Sequence, residues 1–194
     1  MSGGLTLSGD TSGSVKLVVP AVAGTNTITV PAVTATVLTT ASSGQVIPKA
    51  ALPTGSVLQV VNATYSTQTS TNSSSKVATG LTATITPTSA SSKILIIVTH
   101  GDMASETPAS SGCVIELWKN GSTKLSTNTN QGYYNTTGGS NNIGPGTAIN
   151  YLDSPATTSA TTYATYFHNT GASVNVVVQR DGTVSSITLL EIAA

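Results

Sequence analysis

Short runs of Val, Ile, Thr and Tyr alternate along the chain with Gly, Asn, Ser and Pro, and no apolar period of 3.6 residues is sustained anywhere. That pattern predicts many short strands and an all-β protein. Near the N-terminus, Leu5-Thr6-Leu7, Val15-Lys16-Leu17-Val18-Val19, Thr27-Ile28-Thr29-Val30 and Thr36-Val37-Leu38 predict strands of three to five residues. Val19-Pro20-Ala21-Val22 recurs as Val30-Pro31-Ala32-Val33, and each proline removes a backbone donor and limits edge pairing. Strands this short bury no core within one chain. Residues 1–40 are therefore expected to form a β-rich stem or docking segment whose strands wind with those of other copies. Residues 41–55 read as a linker, bracketed by Ala41-Ser42-Ser43-Gly44 and Pro53-Thr54-Gly55 with Pro48 between them,.

Residues 56–194 predict one β domain. Val57-Leu58-Gln59-Val60-Val61 opens it, residues 66–76 form a Ser/Thr/Asn loop, and Leu81-Thr82-Ala83-Thr84-Ile85-Thr86 alternates until Pro87. Ile94-Leu95-Ile96-Ile97-Val98 is continuously apolar, which predicts a central strand covered on both faces. Residues 114–119, Asn120-Gly121 and residues 122–126 predict a hairpin, because Asn-Gly supplies the positive φ angles of a two-residue turn,. Residues 174–180, Asp181-Gly182 and residues 183–192 predict a second, with Val174 facing Leu189 and Val176 facing Ile187. A jelly roll would instead send these two strands to different sheets. About eight strands in roughly 140 residues fit a jelly-roll-like β-sandwich.

Composition narrows the partners. Charged residues make up 7% of the chain and the formal net charge is zero, against roughly 25% charged in an average soluble domain. Nearly a third of the residues are Ser or Thr, so hydroxyls and amides carry the solubility. Copies of such a chain repel one another little, which suits life in an assembly. The hydrophobic fraction of 38%, rich in β-branched runs, argues against disorder,. The seven Lys and Arg are scattered, so no basic footprint for nucleic acid is expected. No apolar span of membrane length and no signal peptide is visible, and no membrane insertion is expected. Cys113, the single cysteine, sits in an apolar run and reads as an inert buried thiol,.

Chemistry is sparse. The acids are Asp10, Asp102, Glu106, Glu116, Asp153, Asp181 and Glu191, and no two have the spacing of a catalytic pair on one element. His100-Gly101-Asp102 is the one stretch suggesting metal or acid–base work. Only His168 remains as a second imidazole, too few ligands for a usual metal site, so His100 reads as a polar residue closing a strand. No G-x-S-x-G elbow or phosphate-cradling glycine loop occurs. Trp118, Tyr163 and Phe167 lie in alternating segments and are expected in the core. Tyr133 and Tyr134 lie in the polar run 128–146, flanked by Asn130 and Asn135. Exposed tyrosines among amides are suited to gripping sugars, by ring stacking and hydrogen bonds to hydroxyls, and these four residues are the candidate receptor contact. No catalytic, cofactor-binding or metal residue is expected.

The segment around Asp10-Thr11-Ser12-Gly13-Ser14, Val19-Pro20-Ala21-Val22-Ala23-Gly24 and Thr27-Ile28-Thr29-Val30-Pro31-Ala32 resembles stretches common in tail-fibre and virion structural proteins of tailed phages. Further marks are Thr79-Gly80-Leu81-Thr82-Ala83-Thr84-Ile85-Thr86-Pro87, Ser91-Ser92-Lys93-Ile94-Leu95-Ile96, Leu117-Trp118-Lys119-Asn120-Gly121, Leu152-Asp153-Ser154-Pro155 and Ser186-Ile187-Thr188-Leu189-Leu190-Glu191-Ile192. In that order they resemble a domain found at the C-terminus of such proteins. The resemblance implies a trimeric β-sandwich head on a β-rich stem, located in the virion, with no catalytic residues. The expected function is a tail fibre or spike subunit. It would join other virion proteins through residues 1–50 and contact a host surface glycan or protein. A capsid head fibre or decoration protein, a glycan-degrading tailspike and a free-standing lectin are the alternatives.

Overall fold

The structure is a computed structural model and describes residues 4–8, 14–18, 52–105, 112–131, 142–144, 146–170 and 175–194. The chain divides into two compact units, Met1–Val46 and Ile47–Ala194. In the first, β1 (Gly4–Ser8) and β2 (Ser14–Val18) form an antiparallel ladder with Gly4 opposite Val18 and Ser8 opposite Ser14. These two expected strands pair with each other. The strands expected at Thr27-Ile28-Thr29-Val30 and Thr36-Val37-Leu38 lie outside the described residues, as does most of the expected linker.

The second unit is an antiparallel all-β sandwich. Its segments are β3 (Val57–Tyr65), β4 (Thr69–Thr71), β5 (Val77–Ile85), β6 (Lys93–Thr99), β7 (Met103–Ser105), β8 (Cys113–Lys119) and β9 (Thr123–Gln131). They continue with β10 (Asn142–Gly144), β11 (Ala148–Asp153), β12 (Thr161–Asn169), β13 (Val176–Val178) and β14 (Ser185–Ile192). One layer has the order β5-β12-β8-β9. The other is written twice over, as β11-β6-β14-β3 and β10-β7-β13-β4. Each strand of the first quartet is followed or preceded in sequence by its counterpart in the second. The two quartets are thus one layer of four long strands, each interrupted at the same level, which makes eight strands among the described residues. Only β8 and β9 are joined within a layer; every other connection between the eight strands crosses from one layer to the other.

Alternation places the core. In the interrupted layer Tyr151, Ile96, Leu189 and Val61 stand opposite one another on one inward rung, and Ile149, Val98, Ile187 and Ala63 on the next. They meet Leu81, Ala83, Ile85, Ile115, Leu117, Tyr163 and Phe167 of the facing layer in a single apolar cluster. Burying each such Leu, Ile or Phe side chain contributes on the order of 1.5–3 kcal/mol. The inward rung beyond them is polar at three of four places: Asp153, Ile94, Glu191 and Gln59. Asp153 Oδ2 accepts from Tyr163 OH at 2.7 Å and from Lys119 Nζ at 3.0 Å, so it ties one layer to the other. Glu191 accepts from Gln59 Nε2 at 2.6 Å and from Thr88 N and Oγ1 at 2.7 Å each, fixing the β5–β6 connection over this end.

At the opposite end of that quartet the strand interruptions line up at residues 66–68, 100–102, 146–147 and 179–184. Here the backbone polar groups find irregular partners: His100 N donates to Thr147 O at 2.7 Å, and Arg180 N to Asp102 O at 3.0 Å. His100 is buried at the centre of this level. Its Nδ1 lies 3.3 Å from Gln179 Nε2 and 3.2 Å from Ser185 Oγ, and its Nε2 lies 3.1 Å from Thr165 Oγ1 in the facing layer. Thr165 Oγ1 lies 2.6 Å from Thr79 Oγ1. Because Gln179 Nε2 donates toward Nδ1, the neutral ring carries its proton on Nε2 and donates to Thr165. Gln179 itself holds a left-handed backbone, φ 50°. Gly146 passes so close to the His100 carbonyl that a Cβ there would collide with its oxygen.

Several expectations change in this light. The hairpin expected across Asp181-Gly182 does not form as a ladder. β13 pairs with β4 and β7, β14 with β3 and β6, and residues 179–184 are the longest of the four interruptions. The Asp181-Gly182 pair does turn the chain, at φ 54° and 77°, but into the next segment of the same layer. Val174 lies outside the described residues. The 66–76 loop contains the short strand β4. The Asn120-Gly121 turn forms as expected, φ 50° and 67°, with Ser122 N donating to Lys119 O at 3.2 Å. Ile94 to Val98 form an inner strand, but with only one face covered: Ile97 is 39% exposed.

Burial lowers the His100 imidazole to about 4 from its ordinary 6.5, and protonation would set a second N–H against the Gln179 amide. Between those two values the unfolded chain binds the proton and the folded one does not, so stability falls as pH drops from about 6.5 to about 4. The loss from this group approaches about 3 kcal/mol at the bottom of the window. Urea unfolding across that range should show it, and His100→Asn should flatten the slope. Gly146→Ala should destabilise by about 3 kcal/mol; an unchanged midpoint would mean that the close approach to His100 relaxes freely.

Candidate surface site on the outer face of the β5-β12-β8-β9 layer

The hairpin sequence explains what stands on this face. Along β8, Cys113, Ile115 and Leu117 point inward, so Val114, Glu116 and Trp118 point out. Trp118 faces Ala164 of β12 on one side and Lys124 of β9 on the other, while Glu116 faces Tyr166 and Thr127. The small Ala164 leaves the indole free to reach diagonally to Tyr166, and the two rings meet edge to face, 6.0 Å between centroids at 67°,. Lys76, from the connection before β5, places its Nζ 3.3 Å from the Trp118 ring centroid and 4.7 Å from that of Tyr166. The same ammonium donates to Gly121 O at 2.7 Å. The Asn-Gly turn therefore positions the lysine that covers the indole.

Glu116 organises the charges. Its side chain is buried although it is on the outer face. Oε2 accepts from Trp118 Nε1 at 2.8 Å, Oε1 accepts from Lys124 Nζ at 2.9 Å, and His168 Nε2 lies 3.8 Å from Oε1. Burial alone would raise its pKa. The hydrogen bonds from Lys124 and Trp118 and the charges of Lys124 and His168 outweigh that, and the carboxyl titrates below its ordinary value. An ionised carboxylate that accepts from two donors and has no second acid beside it is a positioning group for the indole, and has no proton to deliver at neutral pH,.

Beside Tyr166 a shallow groove of about 240 Å³ runs over β5 and β12, lined among others by Gly80, Thr82, Thr162, Ala164 and Tyr166. Thr84 and Thr162 share a hydrogen bond of 2.8 Å, and Thr82 Oγ1 donates to Tyr163 O at 3.2 Å. These hydroxyls keep lone pairs free for outside donors. The face thus offers aromatic edges, neutral hydroxyls and a fixed cation, which is the chemistry of polyol recognition. A second groove, about 400 Å³, lies at the Glu191 end and is lined by Leu58, Thr88, Ser89, Ser91, Ser92 and the C-terminal alanines; no ionisable side chain lines it.

The residues singled out from the sequence fall as follows. Tyr133, Tyr134 and Asn135 lie outside the described residues. Asn130 lies in β9, the edge strand of this same layer, with its side chain outside the described set. His100 is buried, Asp102 is exposed, and His168 stands on the outer face beside Glu116. Among the described residues no group of three metal-ligating side chains comes together. Cys113 is buried, and burial pushes its thiol up to about 12. Tyr163 and Phe167 fill the core as expected. Trp118 does not: it stands half-buried on the outer face. The alternation itself carried that signal, since Trp118 shares parity with Glu116 and opposes Ile115 and Leu117.

Glu116→Gln should cost about 2 kcal/mol at pH 7, because a charge-assisted acceptor is lost and an amide N–H is turned toward a donor. A carboxyl held below its ordinary pKa stabilises above that ordinary value and ceases to as pH falls through the lowered one. The gap between wild type and variant should therefore close in acid, measured by denaturant unfolding at pH 7 and pH 3. A gap that is independent of pH would mean the carboxylate's charge is immaterial.

No protein-family model matches the chain and no similar curated protein is found, so its resemblance to phage fibre proteins rests on the sequence motifs alone.

Proposed function

We propose that this chain is a structural protein of a phage virion, a homotrimeric tail fibre or spike subunit that binds and does no chemistry. Residues 1–50 join it to other virion proteins. The second unit is its head, and the Trp118–Tyr166 face of that head contacts a host surface glycan or protein.

The observation that carries this reading is the contrast between the two outer faces of one charge-poor sandwich. One face carries the aromatic, hydroxyl and ionic groups just described; the other is nearly free of charge. A molecule with one adhesive and one recognising face suits an assembled binding head. The strand order supports it too. Counting each interrupted strand once, the layers interleave as 6-3-8-1 and 2-7-4-5, the order of an eight-stranded jelly roll, an architecture shared by capsid and lectin domains. The buried acids Glu116, Asp153 and Glu191 each accept from donors that fix structure, which favours binding over hydrolysis.

Mass spectrometry of purified particles from the producing host should find this chain, and immunogold labelling should place it on the tail. Its absence from particles would end the virion reading, and label on the capsid would turn it to a decoration protein. Light scattering should give three chains of 19.4 kDa, about 58 kDa,. Host polysaccharide should alter the fluorescence of Trp118, the only tryptophan, without release of reducing ends.

A further inference from the structure

The outer face of β11-β6-β14-β3 has an apolar rung that spans all four strands. Leu152 stands opposite Leu95, Leu95 opposite Leu190, and Leu190 opposite Val60. Leu152 is 52% exposed and Val60 57%. Ile97 adds to the patch from the neighbouring rung, and Val57 flanks it on the other side at 48% exposed. Across these four strands the only charged side chain pointing outward is Lys93, on the last rung; Asp153 and Glu191 both point into the sandwich. Soluble monomers seldom expose a contiguous apolar area of this kind without a use for it.

We propose that this face is where copies of the chain meet, packed around the threefold axis of the trimer. The inference deepens the reading above and rests on its homotrimeric state.

Three observations choose a second copy over other occupants. The first is charge. The apolar rung is flanked by neutral groups, with Asn150, Thr188 and Asn62 on the rung of Ile97, so the face does not repel a copy of itself, and a chain of zero net charge adds no long-range repulsion,. A partner recognised by charge would need an opposing patch, which this face lacks. The second is size. Four strands about 4.8 Å apart and seven residues at about 3.4 Å each give roughly 450 Å² of projected sheet. That is more than half of the roughly 800 Å² per partner of a specific interface. The third is pattern. The unbroken run Ile94 to Val98 is that of a strand buried on both sides, yet among the described residues only the inward side is covered. Packing against another copy restores the missing cover for Leu95 and Ile97. The opposite layer is unsuited to that role, since it holds Lys76, Lys124, Glu116 and His168 on its outer side.

The test replaces the two most exposed apolar residues of this rung, Leu152→Glu with Val60→Glu, in the full chain, and measures mass by light scattering at micromolar concentration. Both sites are half exposed, so the fold should hold, which far-UV circular dichroism checks. The expected result is a trimer for wild type and a species near 19 kDa for the variant, with dissociation more than a hundredfold easier. Thr82→Glu with Thr84→Glu, on the other layer, should remain trimeric. A milder pair, Leu152→Thr with Val60→Thr, covers the case in which glutamates unfold the chain; it should shift the monomer–trimer equilibrium at least tenfold. A trimer that survives both apolar-face variants unchanged would overturn this surface and leave the trimer standing. A monomeric wild type would overturn self-association altogether, while the chain's presence in particles is decided separately.

Discussion

The aligned interruption of four neighbouring strands is the constraint on which the rest of the domain depends. A sheet cannot simply stop hydrogen bonding in its middle, because buried N–H and C=O groups left without partners cost more than most single contacts contribute. Here the gap is filled by substitute bonds, Arg180 to Asp102 and His100 to Thr147, and by a side-chain relay from Gln179 and Ser185 through His100 to Thr165 and Thr79. That relay joins the two layers at the level where the backbone ladder is weakest. It also sets a condition on the imidazole, which must stay neutral to serve. A histidine that looks catalytic in a list of residues is thus a pin in the fold, held by burial away from any substrate.

The two outer faces follow from the alternation that the core imposes. Once Ile115 and Leu117 are committed inward, Glu116 and Trp118 have no choice of side. Once Ile94, Ile96 and Val98 are committed inward, Leu95 and Ile97 are left outside. The first consequence makes an ordered polar and aromatic surface, because Glu116, Lys124 and Lys76 each find a partner there. The second makes an apolar surface, with Leu152 and Val60 more than half exposed among the described residues.

Much of the architecture was legible in the alternation of residues. The runs at Val57, Leu81, Ile94 and Val114 all became strands, and the Asn120-Gly121 turn took the conformation its residues favour. The Asp181-Gly182 pair shows the limit of that reading. Local chemistry specified a turn, and the turn formed. Which strands lie beside each other after it was decided by burial over the whole domain, with Val176, Val177 and Val178 wholly inside. The interruptions were invisible because they depend on four distant segments falling into one register. The outer site was partly readable: parity put Trp118 outside, but Lys76 reaches it from another strand pair, and no spacing in the sequence announces that contact.

The ends of the sandwich domain have a mechanical meaning. Gly55 N donates to Ala193 O, and Ala193 N to Ser56 O, so the chain enters beside the place where it leaves, on the antiparallel neighbours β3 and β14. Force arriving along β3 would be met by a long ladder, from Ile192 opposite Val57 to Ser185 opposite Tyr65. When the pull runs parallel to the strand, all those rungs resist together, as in a lap joint. When it runs across the strand, they open singly, like a zip. A domain built this way is strong along one direction and yields along another, a directional resistance set by the orientation of one ladder.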